Sequence, residues 1–151
     1  MFRGVSALSL DSKGRLAIPS RHRERINEIG EGQMVVTVDR DYCLLLYPLP
    51  EWETLERKLT KLSSLNPSIR RLQRLYIGHA TDVEMDGSGR ILLPPPLREF
   101  AGLERRAVLV GQGNKFEIWD EERWNAQRDV WLEEEAGGEL ELPAELEGLS
   151  L

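Results

Sequence analysis

A fourteen-residue stretch occurs twice in this chain. Residues 11–24 read DSKGRLAIPSRHRE and residues 86–99 read DGSGRILLPPPLRE. At a constant offset of 75, Asp11/Asp86, Gly14/Gly89, Arg15/Arg90, Pro19/Pro94, Arg23/Arg98 and Glu24/Glu99 are identical, and Leu16/Ile91 and Ile18/Leu93 agree in character. After a three-residue deletion, Val35-Val36-Thr37-Val38 faces Val108-Leu109-Val110-Gly111, Leu46-Tyr47 faces Ile118-Trp119, and Trp52 matches Trp124 at an offset of 72. Such a duplication constrains the fold more than any single motif, because both copies must bury the same apolar pattern.

Each copy reads as strand, tight turn, strand, short helix, strand, turn, strand, helix. In Asp-x-x-Gly the first residue bonds its own backbone and the glycine relieves the fourth position. Alternating Leu16 and Ile18 predict a half-buried strand, Pro19 and Pro94 suit the first turn of a helix, and Gly30 and Gly102 suit its end. Two β-rich runs, 33–38 and 43–47, surround Asp39-Arg40-Asp41, and the second copy repeats this hairpin around Gln112-Gly113-Asn114. Between the copies, Trp52, Leu55, Leu59 and Leu62 share one helical face after Pro50. Asn66-Pro67 starts a further helix with Ile69, Leu72, Leu75 and Tyr76 apolar, ending at Gly78. The last helix starts near Asp120, carries Trp124 and Trp131, and stops at Gly137-Gly138. The organisation expected is therefore repeat one at 5–52, connecting helices at 53–80, repeat two at 81–124, a C-terminal helix at 125–137 and an acidic tail at 138–151.

At 151 residues, two wholly separate cores would be marginal, so the copies are expected to share one. Net charge is −6, which at first opposes nucleic acid, since Lys and Arg neutralising phosphates supply most non-specific affinity. Its distribution changes that. Residues 1–80 hold 13 Lys and Arg against 9 Asp and Glu, whereas residues 81–151 hold 7 against 17. Eight acids and no Lys or Arg fall in the last 23 residues, leaving the other 128 at +2. A local basic face is compatible with this balance. The opening residues contain no apolar run of signal-peptide length, and no segment approaches a membrane span, so a cytoplasmic location is expected. The single cysteine, Cys43, opens an apolar run and reads as core.

Turn chemistry accounts for Asp11, Asp86, Gly14 and Gly89, but it does not require arginine. Arg15 and Arg90 either pair with the preceding Asp or fork onto guanine or phosphate, and an Asp that orients an Arg serves both ends. Lys13 adds a cation to the first turn, where the second has Ser88. Arg21, Arg23 and Arg25 make the first short helix basic, and a solvated helix face accounts for them better than base reading does. Arg70, Arg71 and Arg74 dress the exterior of a connecting helix.

Enzyme constellations are scarce. His22 and His79 lie outside any metal-ligand spacing, and Cys43 sits in a β-apolar context rather than beside a base. Asp86-Gly-Ser-Gly-Arg opens like a calcium loop, yet Ser88 and Arg90 displace its later acids. Gly111-Gln-Gly113 lacks the third glycine of a dinucleotide fingerprint. No catalytic residues, metal, cofactor or small-molecule substrate are expected.

With the duplicated Asp-x-x-Gly-Arg-x-x-x-Pro-x-x-x-Arg, the Met-Phe-Arg-Gly opening and the paired tryptophans in hand, the chain resembles the MraZ family from Met1 to about Trp131. That resemblance implies an α+β, β-rich fold. By that resemblance, two AbrB-like βαββ repeats should interleave into one pseudo-dimeric, swapped-hairpin barrel, with packing helices after each repeat. It also implies a nucleoid-associated transcriptional regulator, acting as a repressor at the promoter of the division and cell wall gene cluster. There it would bind repeated elements in double-stranded DNA as a ring homo-oligomer. The DNA-contacting motif maps onto Asp11, Lys13 and Arg15 and onto Asp86 and Arg90, with Gly14 and Gly89 shaping the turns. Ser88 in place of a lysine bears on whether both copies are used equally. The alternative is an AbrB-like antitoxin or assembly protein that binds a protein partner.

Overall fold

Apolar alternation marks the strands, and Asp, Gly and Pro mark where they turn. A computed structural model of the chain describes residues 1–137, 143–146 and 148–149, in two units, Met1–Glu121 and Glu122–Leu151. The first copy supplies β1 (Phe2–Ser9), β2 (Arg15–Ala17), α1 (Ser20–Gly30), β3 (Gln33–Val38), β4 (Leu44–Pro48) and α2 (Leu49–Lys61). After α3 (Pro67–Leu72), the second supplies β5 (Thr81–Glu84), β6 (Arg90–Leu92), α4 (Pro95–Ala101), β7 (Arg106–Gly113), β8 (Phe116–Asp120) and α5 (Glu121–Ala136). The fold is mixed α+β and rich in antiparallel sheet.

The two copies exchange strands. In the six-stranded sheet the order is β1-β7-β8-β4-β3-β5, so the first strand of each copy lies on the hairpin of the other. β2 and β6 form a separate two-stranded ribbon, again one strand from each copy. Leu16 and Ile91 face each other in that ribbon and, like Ile18 and Leu93, are fully buried. Each such side chain contributes about 1.5–3 kcal/mol. They join one core with Phe116, Ile118, Leu44, Leu46 and Met34, drawn from both copies. His22 is buried there as well, its ring 5.0 Å from Phe116 and 5.8 Å from Phe2.

Several expected boundaries shift. α1 includes Gly30 and ends on Glu31 in a left-handed conformation. Gly30 is instead a packing position, because a Cβ there would stand 3.0 Å from Pro50 Cδ. Gly102 caps α4 with φ 66° as expected. Cys43 is buried but lies in the turn before β4, where its backbone carbonyl accepts from Asp39 N–H. The helix begun by Asn66, whose side chain accepts from the Ser68 and Ile69 N–H groups, does not run on regularly to Gly78. It widens into a π turn at Gln73–Ile77, and the Tyr76 carbonyl accepts a 2.6 Å bond from the buried Thr37 hydroxyl. Trp52 anchors α2 beside Val35, Leu45 and Tyr47.

In the second unit, Trp124 and Trp131 of α5 sit edge to face with ring centres 6.0 Å apart. Most of the acidic segment 138–151 lies outside the described residues, apart from Pro143, a single 3-10 turn at Ala144–Leu146, and Gly148 and Leu149. Among the described residues no helix is long and apolar enough to cross a membrane.

Candidate nucleic-acid interface

Each Asp-x-x-Gly-Arg segment closes on itself. Asp11 Oδ1 accepts from the N–H groups of Lys13 and Arg15, both at 2.9 Å, and Oδ2 accepts from Arg15 Nε at 2.7 Å. The Asp11 carbonyl accepts from Gly14 N–H at 3.0 Å. In the second copy Asp86 Oδ1 accepts from Ser88 and Arg90 N–H at 2.9 Å, and Oδ2 from Arg90 Nε at 3.2 Å. The Arg15 backbone N–H, helped by its guanidinium and the Lys13 N–H, holds the Asp11 carboxyl down at about 2 against an ordinary 3.8. Asp86 is lowered by the same contacts, the Arg90 N–H first. Half-exposed ion pairs of this kind are screened by solvent and add little stability. The turn is therefore set by the backbone bonds, while the ion pair aims the arginine.

Only Nε of each arginine is engaged in this way. Among the described residues Nη1 and Nη2 of Arg15 and Arg90 make no side-chain bond, so a guanidinium edge with its donors remains for a ligand. Ribbon register puts Arg15 opposite Leu92 and Ala17 opposite Arg90. With Leu16 and Ile91 turned inward, the outward face carries Arg15, Ala17, Arg90 and Leu92. Ala17 is exposed and Leu92 is 54 % exposed. The two arginines are diagonal neighbours there, roughly 7–8 Å apart by sheet geometry.

The repeat also holds a pair of arginines whose role the sequence reading missed. Arg23 is not part of a solvated helix face: its Nε donates to the Ile18 carbonyl at 2.7 Å, and Arg98 Nε donates to the Leu93 carbonyl at 3.0 Å. Arg23 lies over Gly89 of the other copy's turn, and Arg98 over Gly14, so that a Cβ at either glycine would collide with the guanidinium. Ile18 N–H donates to the Gly89 carbonyl and Leu93 N–H to the Gly14 carbonyl, at 2.8 and 3.0 Å. Each turn is thus pinned by the other copy. The identity of Arg23 and Arg98 at the common offset was the available signal. Arg21 and Arg25 are exposed, Arg21 donating to Ser6 Oγ, and Arg70, Arg71 and Arg74 are exposed as expected.

Asp39, Cys43 and Glu117 bring ligand-type atoms within 4.8 Å of one another. Each already has a partner: the Cys43 thiol donates to Asp39 Oδ2, and Glu117 accepts from Trp119 Nε1. Burial pushes the thiol pKa up, so it stays a protonated donor, and burial raises that of Glu117. Internal hydrogen bonding accounts for this cluster.

A family model described as "MraZ protein, putative antitoxin-like" matches residues 1–75 and again residues 76–136. A protein named transcriptional regulator MraZ from Halorhodospira halophila is 60% identical over 152 residues, covering 100% of both chains. One of the same name from Thioalkalivibrio sulfidiphilus is 60% identical over 151 residues, again covering 100% of each. Another from Methylococcus capsulatus is 59% identical over 149 residues, covering 99% of this chain and 92% of the relative.

Proposed function

The chain belongs to the MraZ family, and from that premise we propose that it is a transcriptional regulator that reads double-stranded DNA through the β2–β6 ribbon. The observation that carries this reading is the pair of arginines, each fixed through Nε by its own Asp, with terminal nitrogens free on one exposed face. A two-stranded ribbon fits the major groove, and an arginine fork matches guanine O6 and N7. Arg15 and Arg90 contact bases, Lys13 contacts phosphate, Asp11 and Asp86 orient the arginines, and Gly14 and Gly89 shape the turns. Exposed Leu92 is suited to a thymine methyl.

In this reading the repeats at 5–52 and 81–124 form one AbrB-like swapped-hairpin barrel, which the exchange of β1 and β5 between copies supports. Several chains assemble into a ring. The ring occupies repeated short elements at the promoter of the division and cell wall gene cluster, and represses it from a nucleoid-associated, cytoplasmic pool. The chain acts by binding, without catalytic residues or a cofactor. The family description as antitoxin-like favours one other reading, an AbrB-like protein whose target is a protein partner.

Titration of the full chain with duplex DNA at low and high salt separates the two. Strong, salt-sensitive binding is expected, with Arg15→Ala costing about 1–3 kcal/mol, roughly 5- to 150-fold in Kd, while the fold is kept. Unchanged affinity in a normally folded Arg15→Ala protein overturns the assignment of the ribbon, and absence of any DNA binding favours the protein-partner reading.

A further inference from the structure

The two turns are built alike but are not charged alike. Leu10 N–H donates to the Arg105 carbonyl at 2.8 Å, and Met85 N–H donates to the Gly32 carbonyl at 2.9 Å. The segment entering β7 therefore flanks the first turn just as the segment entering β3 flanks the second. At these matched positions Arg105 stands against Gly32 and Arg106 against Gln33, and inside the turns Lys13 stands against Ser88. Three cations beside the first turn thus correspond to none beside the second.

Two of these cations, Arg105 and Arg106, line a defined feature. Asp11, Ser12, Arg98, Glu104, Arg105 and Arg106 line an open cavity of about 790 Å³ next to the first turn. Arg106 Nε is 3.6 Å from Glu121, which offsets part of its charge. Lys13 and Arg105 are exposed, and among the described residues neither has an ion pair. The contact that Arg105 makes to Leu10 uses its backbone, and among the described residues its guanidinium has no hydrogen bond or ion pair. Exposed cations beside a base-reading arginine are suited to phosphate oxygens, which fix register and orientation on a duplex.

We propose that Arg105 is a phosphate-contacting residue which, with Lys13, makes the first turn the stronger of the two DNA contacts and so seats each chain on its element in one preferred orientation. This rests on the ribbon being the DNA-binding surface. The test uses two probes: the tightest duplex that the wild-type chain selects from a random-sequence library, and a scrambled duplex of the same length. Arg105→Ala is compared with Arg71→Ala, which removes the same charge from exposed α3. Arg105→Ala is expected to weaken both duplexes several-fold and to reduce the slope of log K against log salt by about one per bound chain. Arg105→Lys should restore the slope, Ser88→Lys should steepen it, and Arg15→Ala should cost more than Arg90→Ala. An Arg105→Ala protein indistinguishable from Arg71→Ala, or equal losses at Arg15 and Arg90, overturns the proposal. If Arg15→Ala still weakens the selected duplex in that case, the reading of the ribbon stands and only the asymmetry falls. If the wild-type chain binds neither duplex, both fall.

Discussion

Asp11 and His22 show how one side chain can be set by its surroundings in opposite ways. Asp11 is held charged by backbone donors at the surface, whereas His22 is held neutral in the core, where burial and then the Arg21 charge lower its pKa below 6.5. A lowered imidazole pKa means that the unfolded chain takes up its proton first as pH falls. The stabilisation from His22 is therefore complete above about 6.5 and is lost as pH drops from there to the folded-state value. Glu117, raised by burial, acts in the opposite sense, so the clean measurement is a difference. Urea unfolding at pH 7.5 and 5 should show His22→Phe losing less stability than wild type on acidification, by at most about 1.4 kcal/mol per pH unit. Parallel pH profiles for the two proteins would show that His22 titrates normally in the folded state.

At the scale of elements, the coupling between copies runs through glycine. Gly14 has φ 85° and lies under Arg98, which is itself anchored to the Leu93 carbonyl. Gly14→Ala must accept a left-handed alanine, at about 1–2 kcal/mol, and must also displace that guanidinium. Gly87, in the second turn, has no atom within 4 Å of its would-be Cβ and no positive φ. Chemical denaturation should therefore find Gly14→Ala destabilised by more than about 1 kcal/mol and Gly87→Ala within about 0.5 kcal/mol of wild type or slightly more stable. In a double-mutant cycle, Arg98→Ala should relieve part of the Gly14→Ala cost. Strict additivity would mean that the turn and α4 are not coupled.

For the whole molecule, the difficulty is numerical. One chain offers two arginine-bearing turns against a net charge of −6, so a single proposed contact surface should bind weakly. Linking several chains turns each added contact into an intramolecular one, and avidity rises by roughly 10²–10⁴-fold when element spacing matches subunit spacing. DNA with two or more correctly spaced elements should bind tightly, and one element poorly, at the same salt. Inserting half a helical turn, about 5 base pairs, should rotate one element away and lose most of the gain. Equal affinity for one isolated element and for the array would remove the multivalent mechanism while leaving DNA binding itself intact.

Sequence alone determined the duplication, which needs only the comparison of two segments, and also the two Asp-x-x-Gly-Arg turns, the strand and helix order and the inward Leu16, Ile18, Ile91 and Leu93, because each of these depends on residues a few positions apart. A turn needs its own Asp and Gly, and a half-buried strand needs only its own alternation. Pairing between strands far apart in the chain has no such local signature. The meeting of β2 with β6, the outward set of Arg15, Ala17, Arg90 and Leu92, and the seating of Arg23 and Arg98 over the opposite glycines were decided by tertiary structure. Arg23 shows why: in sequence it is one of several cations on a short helix, and its partners, the Ile18 carbonyl and the face of Gly89, come together only when the two copies exchange strands. The charge difference between the turns likewise needed the fold, since Arg105 lies 90 residues from Arg15 and is brought beside the first turn by the pairing of β1 with β7, which the bond from Leu10 N–H to its carbonyl continues.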